Sequence, residues 1–396
     1  MNPPGVLAIY SAPAYRPHVA TLIAAGAASS CGVPLLPIHV TTTAGGTLSQ
    51  VGYISTTSLL GSLVGLILGH ISDRRKSNTG IIRISALLLS FGWFAVGWTR
   101  SVLEVFLISI CFLSLATVLS SQVFAAISTS QESKERERAK VASSLRACFS
   151  LGYAIGPLVG AAIAGIGGIR AAFSVSGLLY FSIVLIAKSP APSNLEEVRK
   201  VSSPGGVAPS SLGRMVFFCS LLCLVLVGDF LKASYLPVYI VHNLGYSILV
   251  SGVLLGLCAG LELIAFMVIG LISSRYGAGW TVAIAVGIAS LGYSLMAGIP
   301  HLAVIYMVQI SHVWVFAAIH GVGPIYTQRL LGPHIGTATA SFFFAVAGAK
   351  VLSGVIGGVL AVPLGLPNLF WLPAAICAIV FIVMIFTVPR GVLRVQ

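Results

Sequence analysis

Apolar runs of about 20 residues, each long enough to cross a bilayer core, follow one another along almost the whole chain. Hydrophobic residues make up 57% of it and charged residues only 8%, and the mean hydropathy is +1.02. So little charge cannot cover a water-facing surface. Backbone groups in lipid must be satisfied within their own segment, so each run predicts a helix. The ten-residue alternation of a membrane barrel is absent. The runs place helices at 17–40, 50–71, 80–98, 102–128, 140–165, 169–189, 213–241, 246–273, 278–298, 301–326, 335–361 and 367–388. The expected class is an all-α integral membrane fold of twelve transmembrane helices.

Two loop phrases indicate how those helices are grouped. Gly69, Ile71, Ser72, Asp73 and Arg74 read G-x-I-S-D-R, followed by Arg75. Gly270, Ile272, Ser273, Ser274, Arg275 and Gly277 read G-x-I-S-S-R-x-G. The paired glycines are 201 residues apart (270 − 69), close to half of the 396-residue chain. A signature repeated at half length predicts two pseudo-symmetric six-helix bundles, 17–189 and 213–389. Residues 190–212, with Pro190, Pro192, Pro204, Gly205, Gly206 and Pro209, suit a solvated cytoplasmic linker. Residues 1–16 and 390–396 are the cytoplasmic ends. In carriers built of two such halves the substrate lies between them.

The net charge of +13 invites a nucleic-acid partner, but its placement argues for topology instead. With both termini inside, the cytoplasmic face receives Arg16, Arg74, Arg75, Lys76, Arg83, Lys134, Arg136, Arg138, Lys140, Lys188, Arg199, Lys200, Arg214, Arg275, Arg329, Arg390 and Arg394. The opposite face keeps Arg100 and Arg170. Such a bias orients a membrane protein during insertion and calls for no nucleic acid. The first eighteen residues hold four prolines and no extended apolar core, so no cleavable signal peptide is expected. The seven cysteines fall within predicted spans, where thiols act as small apolar groups. Cys219 and Cys223 lack a neighbouring His or carboxylate, so no metal site is expected.

Glycines recur every fourth residue at 61, 65 and 69, at 152, 156 and 160, and at 252, 256 and 260. That spacing puts each set on one helix face, where missing side chains let backbones approach. Static packing and sliding during a transport cycle are both compatible with it.

A charge at mid-helix in a bilayer costs roughly 2.5–3.5 kcal/mol on insertion scales, so ionisable residues inside the spans form the functional shortlist. Glu262 lies about 20 Å along the helix from the Arg275 loop, near mid-membrane. A carboxyl there suits reversible protonation, or stays neutral and hydrogen-bonded to a neighbouring helix. Asp229 and Lys232 are one turn apart and can neutralise each other. Lys350 is a counter-ion for Glu262 or Asp229, a ligand for an anionic substrate, or a proton-labile amine. Arg146 is a gate or binding residue, or snorkels to the interface. Gln309, His312, Phe316 and His320 follow at steps of three, four and four, which keeps them on one helix face. Amides and imidazoles can donate and accept hydrogen bonds to a substrate, and an aromatic ring can stack on an apolar face of it. Satisfied core packing is the plainer alternative. Gln122 is a candidate to face that stripe from the other half.

These residues carry a family resemblance. The loop after the second span resembles that of the major facilitator superfamily, without its usual glycine after Asp73. Glu135, Arg136, Arg138 and Ala139, leading to Gly152, Gly156, Pro157 and Gly160, resemble the entry and fifth helix common in its antiporters. Ser121-Gln122-Val123-Phe124-Ala125, Leu145-Arg146-Ala147, Ala259-Gly260-Leu261-Glu262 and Arg275-Tyr276-Gly277 are similar to the bacterial sugar efflux transporters. The resemblance implies an alternating-access carrier of the bacterial inner membrane, monomeric, with a small-molecule substrate and no cofactor. Sugars or small glycosides are the expected cargo. No Walker loop, H-E-x-x-H pair or nucleophile elbow is present, so no enzyme activity is expected and an ion gradient must drive transport. Glu262 and Asp229 make proton antiport the natural coupling. A multidrug–proton antiporter is the alternative substrate class, and a non-transporting sensor with a carrier fold the alternative of another kind.

Overall fold

The computed structural model describes residues 16–60, 64, 79–128, 135–187, 209–331 and 335–388. Gly69, Asp73, Arg74 and Arg75, together with 190–208 of the expected linker, lie outside the described residues. Every regular element among the described residues is helical.

Helices α1 (Arg16–Gly32) and α2 (Leu36–Thr42) form one run, joined by the 3-10 turn Val33–Leu35, which contains Pro34, with Pro37 in the first turn of α2. Helices α3 (Leu48–Thr56) and α4 (Thr79–Val96) follow. Between α5 (Val102–Cys111) and α6 (Ala116–Ser128), Phe112 leaves helical geometry at φ −123°, ψ −55°. Helix α7 (Glu135–Ile186) turns at Gly168, whose φ of 79° is open to glycine. Helix α8 (Pro209–Val238) starts inside the expected linker, because a proline lacking its N–H suits a first helical turn. It runs on into a π turn, Tyr239–Asn243. Then come α9 (Ile248–Tyr276), α10 (Ala278–Gly298) and α11 (Leu302–Ala317). A second π turn, Ala318–Val322, leads to α12 (Gly323–Leu331), α13 (Ile335–Leu364) and α14 (Trp371–Thr387). Among the described residues ten stretches are long and apolar enough to cross a membrane, one of them Cys148–Ile186. With that stretch divided at Gly168, and with α3 at the start of the second expected span, the described elements are consistent with the twelve positions read from the sequence.

The described residues form two compact units. The first contains the described parts of 16–46, 57–187 and 247–257. In it α1 lies along α7, backbone to backbone. A Cβ at Gly152 would stand 2.9 Å from the Ala27 nitrogen, one at Gly156 2.7 Å from the Ala27 oxygen, and one at Gly160 3.0 Å from Cys31 Sγ. The start of α9 packs on the same helix: a Cβ at Gly252 would meet the Pro157 oxygen at 2.7 Å, and one at Gly256 Leu158 Cγ at 2.5 Å. Gly260 faces open space, so the expected glycine face of α9 stops one turn early. The second unit contains 47–56, 209–246 and the described parts of 258–388. Here α3 packs on α13, with a Cβ at Gly52 falling 2.7 Å from the Gly354 oxygen. Tyr235, Tyr293, Phe218, Phe342 and Phe370 fill the core.

The half-length repeat extends to local geometry. Gly45 and Gly245 have φ of 66° and 72°, and each precedes a helix starting at Leu48 or Ile248. Side chains of Ser101 and His301 cap the helices that start at Val102 and Leu302. A Cβ at Gly92 would touch Phe112 at 2.5 Å, and one at Gly292 would touch His312 at 2.5 Å. All these pairs share an offset of 200 residues (245 − 45, 302 − 102, 292 − 92).

The α1–α7 contact yields a direct test. Gly156→Val is expected to lower the yield and the melting temperature of purified protein, since overpacking costs about 1–3 kcal/mol. Gly165→Ala, on the same helix but with nothing near its Cβ, should leave both unchanged. Equal effects of the two would argue against direct backbone contact.

Candidate functional site

Helix α8 carries an acid and a base one turn apart, and they meet. Lys232 Nζ lies 2.9 Å from Asp229 Oδ1, with side-chain exposures of 10% and 26% respectively. The same Nζ lies 3.1 Å from His312 Nδ1 on α11. An ammonium can only donate, so Nδ1 is the acceptor and the neutral His312 ring carries its proton on Nε2. Nε2 is buried without a hydrogen-bond partner. The ring stands edge-on to Tyr293, with centroids 4.6 Å apart at 82°. Gly292 leaves the room that this ring needs.

Asp229 also borders a small cavity lined mostly by apolar groups, with Tyr293, Phe316 and His320 as its other chemically distinctive walls. The Phe316 and His320 rings lie 4.2 Å apart, and Phe266 meets Phe316 edge-on at 6.1 Å. His320 sits in the π turn Ala318–Val322. Such turns widen a helix locally and are frequent at functional sites. The expected stripe of α11 therefore serves three depths. Gln309 is buried with its Oε1 unpartnered, His312 is taken by Lys232, and Phe316 and His320 border the cavity.

Two ionisable groups remain. Glu262, on α9, lies within electrostatic range of the Asp229–Lys232 pair. Among the described residues neither Glu262 nor Lys350 has an ion-pair partner, and Asp229 is engaged by Lys232. The expected pairing of Lys350 with either acid is therefore not what the structure holds. Both residues are half-buried, and both lie away from the most exposed apolar side chains of their helix. On α9 these are Ile264, Met267 and Leu271 at 58%, 75% and 71% exposure. At 100° per residue Glu262 lies about 170° around from them. On α13 the most exposed large apolar side chains are Phe344, Val359 and Val362; Lys350 lies about 140° away from them, on the side where Phe343 projects.

The repeat sharpens the meaning of this cluster. At the offset of 200, the first unit has Ser29, Gly32, Trp93 and Phe112 where the second has Asp229, Lys232, Tyr293 and His312. Ser29 Oγ simply bonds Tyr180 Oη at 2.7 Å. One scaffold thus carries a neutral core in one copy and a charged core in the other. Tyr293 was not singled out in the sequence, where an aromatic in an apolar run reads as core. Its place against Gly228, where a Cβ would stand 3.3 Å from the ring, and beside His312 is visible only in three dimensions.

The other candidates are dispersed. Gln122, in the first unit on α6, is buried with Oε1 unpartnered. Arg146 lies on α7, and its side chain is outside what the structure describes. Gly270 faces open space. Arg275 stands in the last turn of α9, where the helix dipole favours a cation, 5.6 Å from the Tyr276 ring. Gly277 takes φ of 89° at the start of α10. Among the described residues no group of His, Cys, Asp or Glu is arranged to hold a metal ion.

The model of the Major Facilitator Superfamily matches residues 19–345 of this chain. The chain belongs to that superfamily. Within the Major Facilitator Superfamily it is similar to Sugar efflux transporter A of Escherichia coli (strain K12), 26% identical over 89% of this chain and 91% of that protein. Sugar efflux transporter C of the same organism is 24% identical over 91% of this chain and 92% of that protein. Solved structures share the fold at low identity. The nucleoside transporter NupG superposes with a TM-score of 0.76 at 13% identity, covering 94% of this chain and 98% of that one. A POT family transporter in complex with 5-aminolevulinic acid gives 0.78 at 12% identity, covering 95% and 96%. The fold is therefore that of a major facilitator, two pseudo-symmetric bundles in a multi-pass membrane protein.

Proposed function

We propose that this protein is an alternating-access secondary carrier that exports sugars or small glycosides across a bacterial inner membrane in exchange for protons. The observation that carries the reading is the alignment with sugar efflux transporters along nearly the whole of both chains, 89% and 91% for one of them. The cluster in the second unit supports the coupling. Asp229 and Lys232 neutralise each other, which leaves Glu262 as the acid free to load and release a proton. Both termini are cytoplasmic in this reading, the working unit is a monomer, and no covalent chemistry is performed on the cargo. Gln122, Arg146, Gln309, Phe316 and His320 are the proposed cargo contacts. Gly69, Asp73, Arg74, Arg75, Gly270, Arg275 and Gly277 govern the conformational cycle.

The test is a substrate panel in everted vesicles with and without a pH gradient. Sugars or glycosides should accumulate when the lumen is acidic and fail to do so when a protonophore collapses the gradient. The close contacts of Gly152, Gly156 and Gly160 with α1 favour a second reading, a multidrug–proton antiporter. Accumulation of lipophilic cations in place of sugars would select it. A sensor with a carrier fold would bind labelled substrate without counterflow.

The linker offers an independent check on the two-bundle organisation. Residues 190–212 join halves that should remain functional when separated, since α3 of one half packs on α13 of the other through Gly52 and Gly354. Halves coexpressed with a break inside 190–208 are expected to co-purify and to retain counterflow. Both halves reaching the membrane at normal levels without any transport would contradict this.

A further inference from the structure

We propose that Lys350 is the binding cation for an anionic group on the cargo, so that the preferred substrates are sugar acids. This rests on the sugar-carrier reading and narrows it. The chain has nine acids: Asp73, Glu104, Glu132, Glu135, Glu137, Glu196, Glu197, Asp229 and Glu262. Asp73 falls in the loop phrase, and Glu132, Glu135, Glu137, Glu196 and Glu197 fall in the polar stretches between spans. Glu104 is in the first turn of α5, where it accepts from the Arg100 backbone nitrogen at 2.8 Å. Asp229 and Glu262 are thus the acids at membrane depth, and Asp229 is bound to Lys232 at 2.9 Å. Glu262 makes no ion pair with Lys350.

Lys350 lies inside the span Ser341–Leu364, sixteen residues along α13 (350 − 335 + 1) from its start at Ile335. From there an ammonium cannot easily reach a lipid headgroup by snorkelling. It is also turned about 140° from Phe344, Val359 and Val362, the most exposed apolar side chains of its helix, and it stays half-buried. A cation held at that depth, turned from those side chains and without a protein counter-ion among the described residues, is complementary to an anion that arrives from outside the chain. The hydroxyl-binding groups proposed for α11 then recognise the remainder of the sugar, and the acid group supplies the charge.

The experiment uses the full-length protein in liposomes and measures counterflow of labelled D-glucuronate and D-glucose at pH 7.5, where the acid is ionised. Wild type should exchange glucuronate at a lower half-saturating concentration than glucose. Lys350→Gln should raise the glucuronate value by about 10- to 100-fold, the range for losing one hydrogen bond to a charged group, and leave glucose unchanged. Lys350→Arg, which keeps the charge, should retain the preference. Equal handling of both sugars by wild type overturns the proposal while leaving the sugar reading intact, and that comparison needs no variant. Exchange of lipophilic cations with neither sugar overturns both. If Glu262→Gln restores Lys350→Gln for both sugars alike, Lys350 instead serves Glu262 in another conformation, and the proposal fails.

Discussion

Glu262→Gln is expected to abolish accumulation driven by a pH gradient, down to the level seen with a protonophore, while substrate counterflow continues at the wild-type rate. The amide preserves size and hydrogen-bonding capacity but cannot exchange a proton. Counterflow needs the conformational cycle without a net change in protonation, so it should be spared. The structure explains why Glu262 is the residue to change. Of the two acids at membrane depth, Asp229 is held by Lys232 at 2.9 Å, and a proton added to it would have to break that pair. Glu262 has no such partner among the described residues. If the Gln variant weakens exchange in both assays, Glu262 contacts the cargo. Normal gradient-driven accumulation would remove it from the mechanism and direct attention to Asp229.

The elements of this fold are legible in the sequence because a bilayer admits few solutions. A run of about 20 apolar residues must be a helix with its own backbone bonds closed. The glycine spacing at 152, 156 and 160 likewise announces a face on which another helix can lie. It does not say which helix, and that α1 supplies the Ala27 and Cys31 contacts emerges only from packing. Gly52, which belongs to no glycine series, makes as close a contact with Gly354 and left no periodic trace. The break at Phe112 and the π turns at Tyr239–Asn243 and Ala318–Val322 carry no distinctive residue pattern. The charged site is partly legible. Asp229 and Lys232 are three positions apart on one helix, so their pairing can be read from helical geometry alone. The bond from Lys232 to His312 spans 80 positions and depends on how two helices are rotated toward each other, which the sequence of each does not contain. The polar stripe of α11 has the right period, yet its members meet different neighbours because depth in the bundle, rather than helix face, decides who faces Lys232 and who faces the cavity.

The Asp229–Lys232 pair should show the strongest dependence of folding on charge balance. Lys232→Met alone leaves the Asp229 carboxylate in a largely buried site without its cation. Breaking a buried pair from one side costs about 3–5 kcal/mol, so little folded protein should reach the membrane. Asp229→Asn alone should be milder, because Lys232 keeps its contact with His312 Nδ1 at 3.1 Å. Combining Asp229→Asn with Lys232→Met removes both charges, and replacing a whole buried pair by neutral groups is often close to neutral. The double variant is therefore expected to recover most of the folded yield that Lys232→Met loses, with a coupling energy measurable by a double-mutant cycle on the purified proteins. The neutral counterparts at Ser29 and Gly32 in the first unit show that the scaffold itself tolerates an uncharged core at these positions. Retention of counterflow by the recovered double variant would make the pair a positioning device beside Glu262. Recovery of folding with complete loss of counterflow would instead mean that the pair's charges take part in the transport cycle, and self-neutralisation would no longer account for them.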